Sequence, residues 1–167
     1  MNAIVCVDNN WGIGKDNELL FRIKDDLKHF KDITFHKVVL MGRNTFESLP
    51  NKKPLKNRIN FIFTRDLNYQ VEGAKVVHSY EEFMKKFSYR YQSFNTFVIG
   101  GSEIYELFLP HIDQIYLTRV NTVVDGANKF FPNLDKISEW KIDNRSDIFI
   151  DKKSGLEYEY ILYKKSK

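Results

Sequence analysis

The chain has 167 residues, 43% hydrophobic and 29% charged, with a net charge of +4. That is enough for one domain, residues 1–167, able to bury roughly two-thirds of its unfolded surface. The single Cys6 excludes an internal disulfide, and the first apolar run, Ala3 to Val7, is too short for a signal peptide or a membrane span. A reducing cytoplasm is the expected compartment. Phe and Tyr supply 23 residues, so an aromatic-rich core is expected. Basic residues gather in Lys52–Arg58 and in Lys164–Lys167. Nucleic acid is one partner such clusters suit, but no aromatic residue interleaves with either of them, and a small anion or plain solubility suits them as well.

Residues 3–7 read as a buried strand. Asp8 to Glu18 is rich in Gly, Asn and Asp, and is expected to form an irregular loop reaching about Ile23. A helix follows from Lys24 to Thr34. Val38–Met41 is a buried strand that runs into Gly42 and a short helix through Leu49. Arg58–Phe63 and Ala74–Val77 read as strands. Ser79-Tyr80-Glu81-Glu82 has the Ser-x-x-Glu spacing of a capping box and opens a helix to about Phe87. Ser88–Ser93 reads as a polar surface connection. Asn95–Ile99 is a strand leading into Gly100-Gly101 and a helix to Phe108, and Gln114–Val120 is another strand. Two last strands, about Trp140–Ile148 and Leu156–Lys164, are joined by a hairpin turn at Asp151–Gly155. The alternation predicts a mostly parallel α/β sheet with helices on both faces and an antiparallel edge.

One residue of the first helix breaks its pattern. At about 100° per residue, Ile23, Leu27, Phe30, Ile33 and Thr34 share one side and Lys24, Asp25, Lys28, Lys31 and Asp32 the other. Asp26 falls within the apolar stripe, where an unpaired carboxylate costs several kcal/mol. Either it sits at the stripe's edge beside a lysine or a backbone group, or it is a lone acid in a cleft facing a ligand that donates hydrogen bonds. Two strand–helix junctions carry glycine, Gly42 and Gly100-Gly101. Ligands of open α/β sheets bind beyond the carboxyl ends of strands, where such turns let backbone N–H groups approach phosphate. Two of them suggest more than one phosphate, although a single glycine turn is usually only a turn. Neither junction matches Gly-x-Gly-x-x-Gly or the Walker pattern.

Asn10-Trp11-Gly12-Ile13-Gly14-Lys15-Asp16-Asn17, Asp26-Leu27 with Phe30, Met41-Gly42-Arg43-x-Thr45, Ile99-Gly100-Gly101-x-x-Ile104-Tyr105 and Tyr116-Leu117-Thr118 stand in the order seen in dihydrofolate reductases. The chain resembles that family over nearly its whole length. The resemblance implies an eight-stranded, mostly parallel sheet with a C-terminal antiparallel hairpin, binding NADPH and 7,8-dihydrofolate. It implies that Asp26 accepts hydrogen bonds from the pterin's amidine edge and that Thr118 supports it. Ile4, Val5, Leu27, Phe30, Leu49, Leu55 and Ile99 are the matching apolar walls. Arg58 matches the clamp on the substrate's glutamate carboxylate, which a planar guanidinium binds in bidentate fashion.

For the cofactor, the resemblance assigns the backbones of Cys6 and Ile13 to the nicotinamide carboxamide, with Gly14, Lys15, Asn17 and Leu19 as further cofactor-binding positions. It gives Arg43, Asn44, Thr45, Thr64 and Arg65 to the pyrophosphate and 2′-phosphate region, and counts Gly42, Phe63, His78 and Ser79 among the cofactor-binding positions. Gly100, Gly101, Ser102 and Glu103 match the pyrophosphate turn, and Ile99, Ile104 and Tyr105 are further cofactor-binding positions. No metal is implied. Leu20 and Phe21 stand where the family usually has Pro-Trp, beside the reacting ring, so an indole donor near the acid is lost. Gly126-Ala127-Asn128-Lys129 replaces the family's Gly-Asp-Thr, which puts in doubt the usual carboxylate bonds to the Asn9–Phe21 loop. The expected activity is hydride transfer to pterin C6 with protonation at N5, by a monomer with small-molecule ligands and neither nucleic acid nor membrane as partner. A reductase of another pterin or pyrimidine, or a folate- or NADPH-binding module without turnover, are the alternatives.

Overall fold

The apolar runs become strands and the amphipathic stretches helices, in a computed structural model that describes residues 1–91 and 95–167. In chain order these are β1 (Asn2–Val7), β2 (Gly12–Lys15), β3 (Glu18–Leu19), α1 (Lys24–Thr34), β4 (Val38–Gly42) and α2 (Arg43–Glu47). Next come β5 (Ile59–Phe63), β6 (Lys75–Val77), α3 (Tyr80–Phe87), β7 (Thr96–Gly100), α4 (Ser102–Phe108) and β8 (Gln114–Val120). The chain ends with β9 (Lys129–Phe130), β10 (Trp140–Arg145), β11 (Phe149–Ile150) and β12 (Glu157–Lys165). The connection expected over Ser88–Ser93 runs into residues 92 and 93, which lie outside the described residues.

Eight strands lie in the order β10-β12-β8-β1-β7-β4-β5-β6, and β11 adds to β12 off that path. The run from β8 to β6 is parallel throughout, and β12 is antiparallel to β8, β10 and β11. The chain winds outward from β1 to β6, then returns to insert β7 between β1 and β4. Right-handed crossovers in opposite directions put α1 and α2 on one face and α3 and α4 on the other. The side chains agree. Val38, Leu40, Phe61, Val98, Phe83 and Phe108 form one cluster, whereas Val39, Met41, Ile62 and Phe46 form another. Alternate residues of β4 thus serve opposite faces, the period-two pattern of a sheet buried on both sides. The aromatic core appears as expected, with Phe61 edge-on to Phe83 at 5.1 Å and to Phe87 at 4.8 Å between ring centres.

Two expectations need correction. Asp8–Ile23 is not irregular throughout: β2 and β3 form a hairpin across Asp16-Asn17, whose φ values of 52° and 65° define a two-residue turn. Asn and Asp tolerate that left-handed backbone, and it matches the twist of paired strands. β9 then pairs with β2, so the loop belongs to a small three-stranded sheet of its own. The strand expected to run to Ile148 stops at Arg145 after a bulge between Ile142 and Asn144. There the Ser146 hydroxyl accepts the Tyr160 amide at 2.9 Å and replaces the ladder's carbonyl. The capping box is present with a shift: Ser79 Oγ accepts Glu82 N at 3.0 Å, while Glu82 Oε2 accepts the amide of His78 at 2.7 Å.

Candidate active site

Inserting β7 between β1 and β4 makes a point where the winding reverses, with the carboxyl ends of three parallel strands side by side. Gly42 ends β4 and Gly100 ends β7, and Met41 is in register with Gly100, so the two glycine junctions are neighbours. A Cβ on Gly42 would stand 3.1 Å from Ile104, and one on Gly101 would stand 3.3 Å from Thr45 Oγ1. Neither α2 nor α4 has a side-chain cap, so the first backbone N–H groups of both helices are left to face the junction. This donor set suits the phosphates of a dinucleotide. Tyr105 fastens the junction to β1: its buried hydroxyl donates to the Ile4 carbonyl at 2.7 Å, and burial pushes it well above the usual tyrosine range.

Asp26 stands in the first turn of α1, where the helix dipole favours an acid. It is half-buried, and Thr118 of β8 donates its hydroxyl to Oδ1 at 2.6 Å. Cys6 lies in register with Thr118 on the adjacent strand, beside the same carboxylate. Burial raises the Asp26 pKa, while the Thr118 hydroxyl, His29 and Cys6 pull it back. Among the described residues no lysine or arginine pairs with it, and the Thr118 hydroxyl takes the place of the lysine that the stripe's edge could have offered. Burial, with Asp26 adjacent, pushes the Cys6 thiol well above its usual range and keeps it neutral. Leu27, one residue on, is 44% exposed. The apolar stripe of α1 therefore faces a cleft more than the core.

The structure brings most of the expected residues together. Leu49, Leu55 and Ile99 pack on the Val39–Met41–Phe46 cluster as an apolar wall. Arg58 sits at the far end of α1, half-buried, with Nη1 donating to Thr34 Oγ1 at 3.1 Å and Nε to the Lys56 carbonyl at 2.9 Å. Burial lowers its pKa, as partial desolvation of a guanidinium does. The buried Asn60 holds that loop, accepting Leu55 N and donating to the Leu55 and Arg58 carbonyls. Ile13 and Gly14 are buried in β2, and Lys15, Asn17 and Leu19 are exposed around the hairpin. Asn44, Thr64, Ser102 and Glu103 all stand at the strand ends around the glycine junctions.

For other expected residues the geometry limits what the side chain can reach. Val5 and Phe63 point into the α3/α4 face of the core, because alternate residues of a strand face opposite sides. Only their backbones can serve the cleft. Phe21 packs with Ile23, Val120 and Tyr158 beside Cys6 and Tyr160, and has no donor there, so it and half-buried Leu20 supply shape alone. Ser79 Oγ accepts the Glu82 amide at the start of α3 and keeps its O–H to donate, and His78 Nδ1 stands 2.8 Å from the Thr64 carbonyl. Sequence reading also missed Asp8. Its buried carboxylate accepts the amides of Asn10, Gly12 and Val124 at 2.9, 2.8 and 3.0 Å. It ties the loop after β1 to the segment 121–127, the link left in doubt by the lost acid near Gly126.

A reversed-winding α/β sheet, a twin-glycine phosphate junction and a lone acid on a hydroxyl define a class of enzyme that sets a dinucleotide against a polar-edged ring. The family model "Dihydrofolate reductase" matches residues 1–165, and the chain belongs to that family. It is 35% identical to dihydrofolate reductase of Bacillus subtilis over 165 residues, covering 99% of this chain and 94% of the relative. It is 37% identical to the Haemophilus influenzae enzyme over 145 residues, covering 85% and 84%. The structure of dihydrofolate reductase from Enterococcus faecalis, complexed with NADP(H) and RAB-propyl, superposes with a TM-score of 0.87 at 32% identity, covering 99% of this chain and 96% of that one. No helix among the described residues is long and apolar enough to cross a membrane.

Proposed function

We propose that the chain reduces 7,8-dihydrofolate to 5,6,7,8-tetrahydrofolate with NADPH, hydride passing to pterin C6 and a proton to N5. The observation that carries this reading is the Asp26 carboxylate, oriented by Thr118 at 2.6 Å and, among the described residues, without a lysine or arginine partner. Bound NADPH supplies the hydride. Arg43, Thr45, Thr64, Arg65 and the turn from Gly100 to Glu103 hold its phosphates, and the backbone of Ile13 and Gly14, with Cys6, meets its nicotinamide end. Asp26 accepts hydrogen bonds from the amidine edge of the pterin, and its charge favours the positive character that develops as N5 is protonated. Water brings that proton, since the acid holds the opposite edge of the ring. Arg58 clamps the glutamate carboxylate, and the Asn9–Phe21 loop excludes bulk water over the reacting atoms. The chain works as one domain over residues 1–167, as a cytoplasmic monomer with small-molecule ligands only.

The test is loss of NADPH absorbance with and without 7,8-dihydrofolate, alongside quenching of NADPH fluorescence. Oxidation that requires dihydrofolate supports the proposal. Quenching without oxidation marks a binding module, and oxidation only with another pterin or a pyrimidine marks a different reductase.

A further inference from the structure

Two guanidinium groups stand at the carboxyl ends of neighbouring parallel strands, Arg43 after β4 and Arg65 after β5, and three carboxylates stand against them. Arg43 Nε donates to Glu47 Oε1 at 3.0 Å and Nη1 donates to Asp66 Oδ2 at 3.3 Å. Its guanidinium also lies 4.3 Å from the centre of the Tyr69 ring. Asp66 is itself fixed, since its Oδ1 accepts Asn68 N at 3.0 Å and its amide donates to Thr64 Oγ1 at 3.2 Å. Arg65 differs: it is 93% exposed, and Glu103 is 3.8 Å away across solvent. An exposed pair of that length contributes almost nothing, so Arg65 answers to any anion that approaches.

We infer that Asp66, with Glu47, is a specificity-determining counter-charge that restrains the preference for NADPH over NADH. The inference rests on the NADPH reading above. A 2′-phosphate at these strand ends draws on the same guanidinium that Asp66 and Glu47 already hold. Arg43 therefore gives the phosphate only the difference between the new pair and the old ones, and the fixed Asp66 carboxylate repels it. NADH leaves the Arg43–Glu47–Asp66 arrangement undisturbed. Discrimination between the two dinucleotides then falls mainly on Arg65 and the Thr64 hydroxyl.

Asp66→Asn keeps the side-chain shape and the acceptor for Asn68 N while removing the charge. Fluorescence titration of the whole chain with NADPH and with NADH, at low and high salt, reads the effect without turnover. The variant should bind NADPH about five- to tenfold more tightly while NADH stays within about twofold, and high salt should shrink the gain. Competition by 2′,5′-ADP should strengthen likewise, and competition by 5′-AMP should not. Glu47→Gln should move NADPH in the same direction and carries the test if the first variant does not fold. An unchanged NADPH-to-NADH ratio, or a weaker hold on NADPH alone, overturns the inference, because Asp66 would then be aiming Arg43 at the phosphate. A wild-type chain that binds NADH but not NADPH overturns it too. One that binds neither overturns the proposed function first.

Discussion

Burial raises the Asp26 pKa in the folded chain, against the lowering influence of the Thr118 hydroxyl. The unfolded chain holds that proton more weakly. Between the ordinary value of 3.8 and the raised one, the native state therefore carries more protons than the unfolded state. Stability from this group falls as pH rises through that window and stays lower above it. Asp26→Asn should accordingly be the more stable protein at neutral pH, by a gap in Tm that closes as pH falls below the ordinary carboxylate value. Melting curves across pH check it, and a wild type that stays ahead at neutral pH speaks against a desolvated acid. Arg58 carries a second expectation. Arg58→Leu should raise KM for dihydrofolate about 10- to 100-fold through the loss of charged hydrogen bonds. A pterin fragment without the glutamate should be hardly affected. If the fragment suffers equally, Arg58 acts through its bonds to Thr34 and Lys56 instead.

At the level of elements, the loop after β1 is held by the β2–β9 ladder, by the buried Asp8 carboxylate and by bonds such as that from the Asn9 amide to the Thr122 carbonyl at 2.9 Å. Gly12 is needed for the second, because a Cβ there would stand 3.0 Å from Asp8 Oδ1 and 3.2 Å from the Ala127 methyl. Asp8→Ala leaves the Asn10, Gly12 and Val124 amides without their acceptor and should cost about 2–3 kcal/mol in a denaturant melt. Hydrogen exchange should quicken at Gly12 and Val124 and little at Phe61. Unchanged exchange at both loops would show that the Asp8 carboxylate is not what holds them together. The stretches legible in advance were those whose signal is local. The stripe of α1, the Ser79 cap, the glycine junctions and the buried runs of β1, β4 and β7 all follow from spacing along the chain. The β2–β9 pairing and the Asp8 clamp join residues more than a hundred positions apart, and neither side of such a contact carries the other's signature. Asp16-Asn17 was legible and passed over, since two residues tolerant of positive φ between Lys15 and Glu18 are a hairpin turn. The outward or inward aim of Val5 and Phe63 depends on register, which a continuous apolar run leaves open.

Across the whole molecule, the α3/α4 face of the core sets edge-packed aromatic rings among aliphatic residues. Phe61, on β5 one strand in from the sheet's edge, is fully buried and meets Phe83 and Phe87 edge-on. Phe61→Ala should cost about 3–5 kcal/mol and lower Tm by many degrees without shifting the pH profile of turnover. A shifted profile would mean that the core and the site are coupled. The opposite face carries the cleft, so one sheet keeps stability and chemistry on separate sides, joined at the strand ends by Tyr105. The central claim is that the charge on Asp26 serves reaction more than folding. It is tested most directly by kcat/KM for dihydrofolate against pH, in the wild type and in Asp26→Asn. The variant should fold, lose turnover by orders of magnitude at neutral pH, and recover in part as pH falls and solvent protonates the substrate. Near-normal activity of the variant at neutral pH would make Asp26 a structural acid and contradict the account.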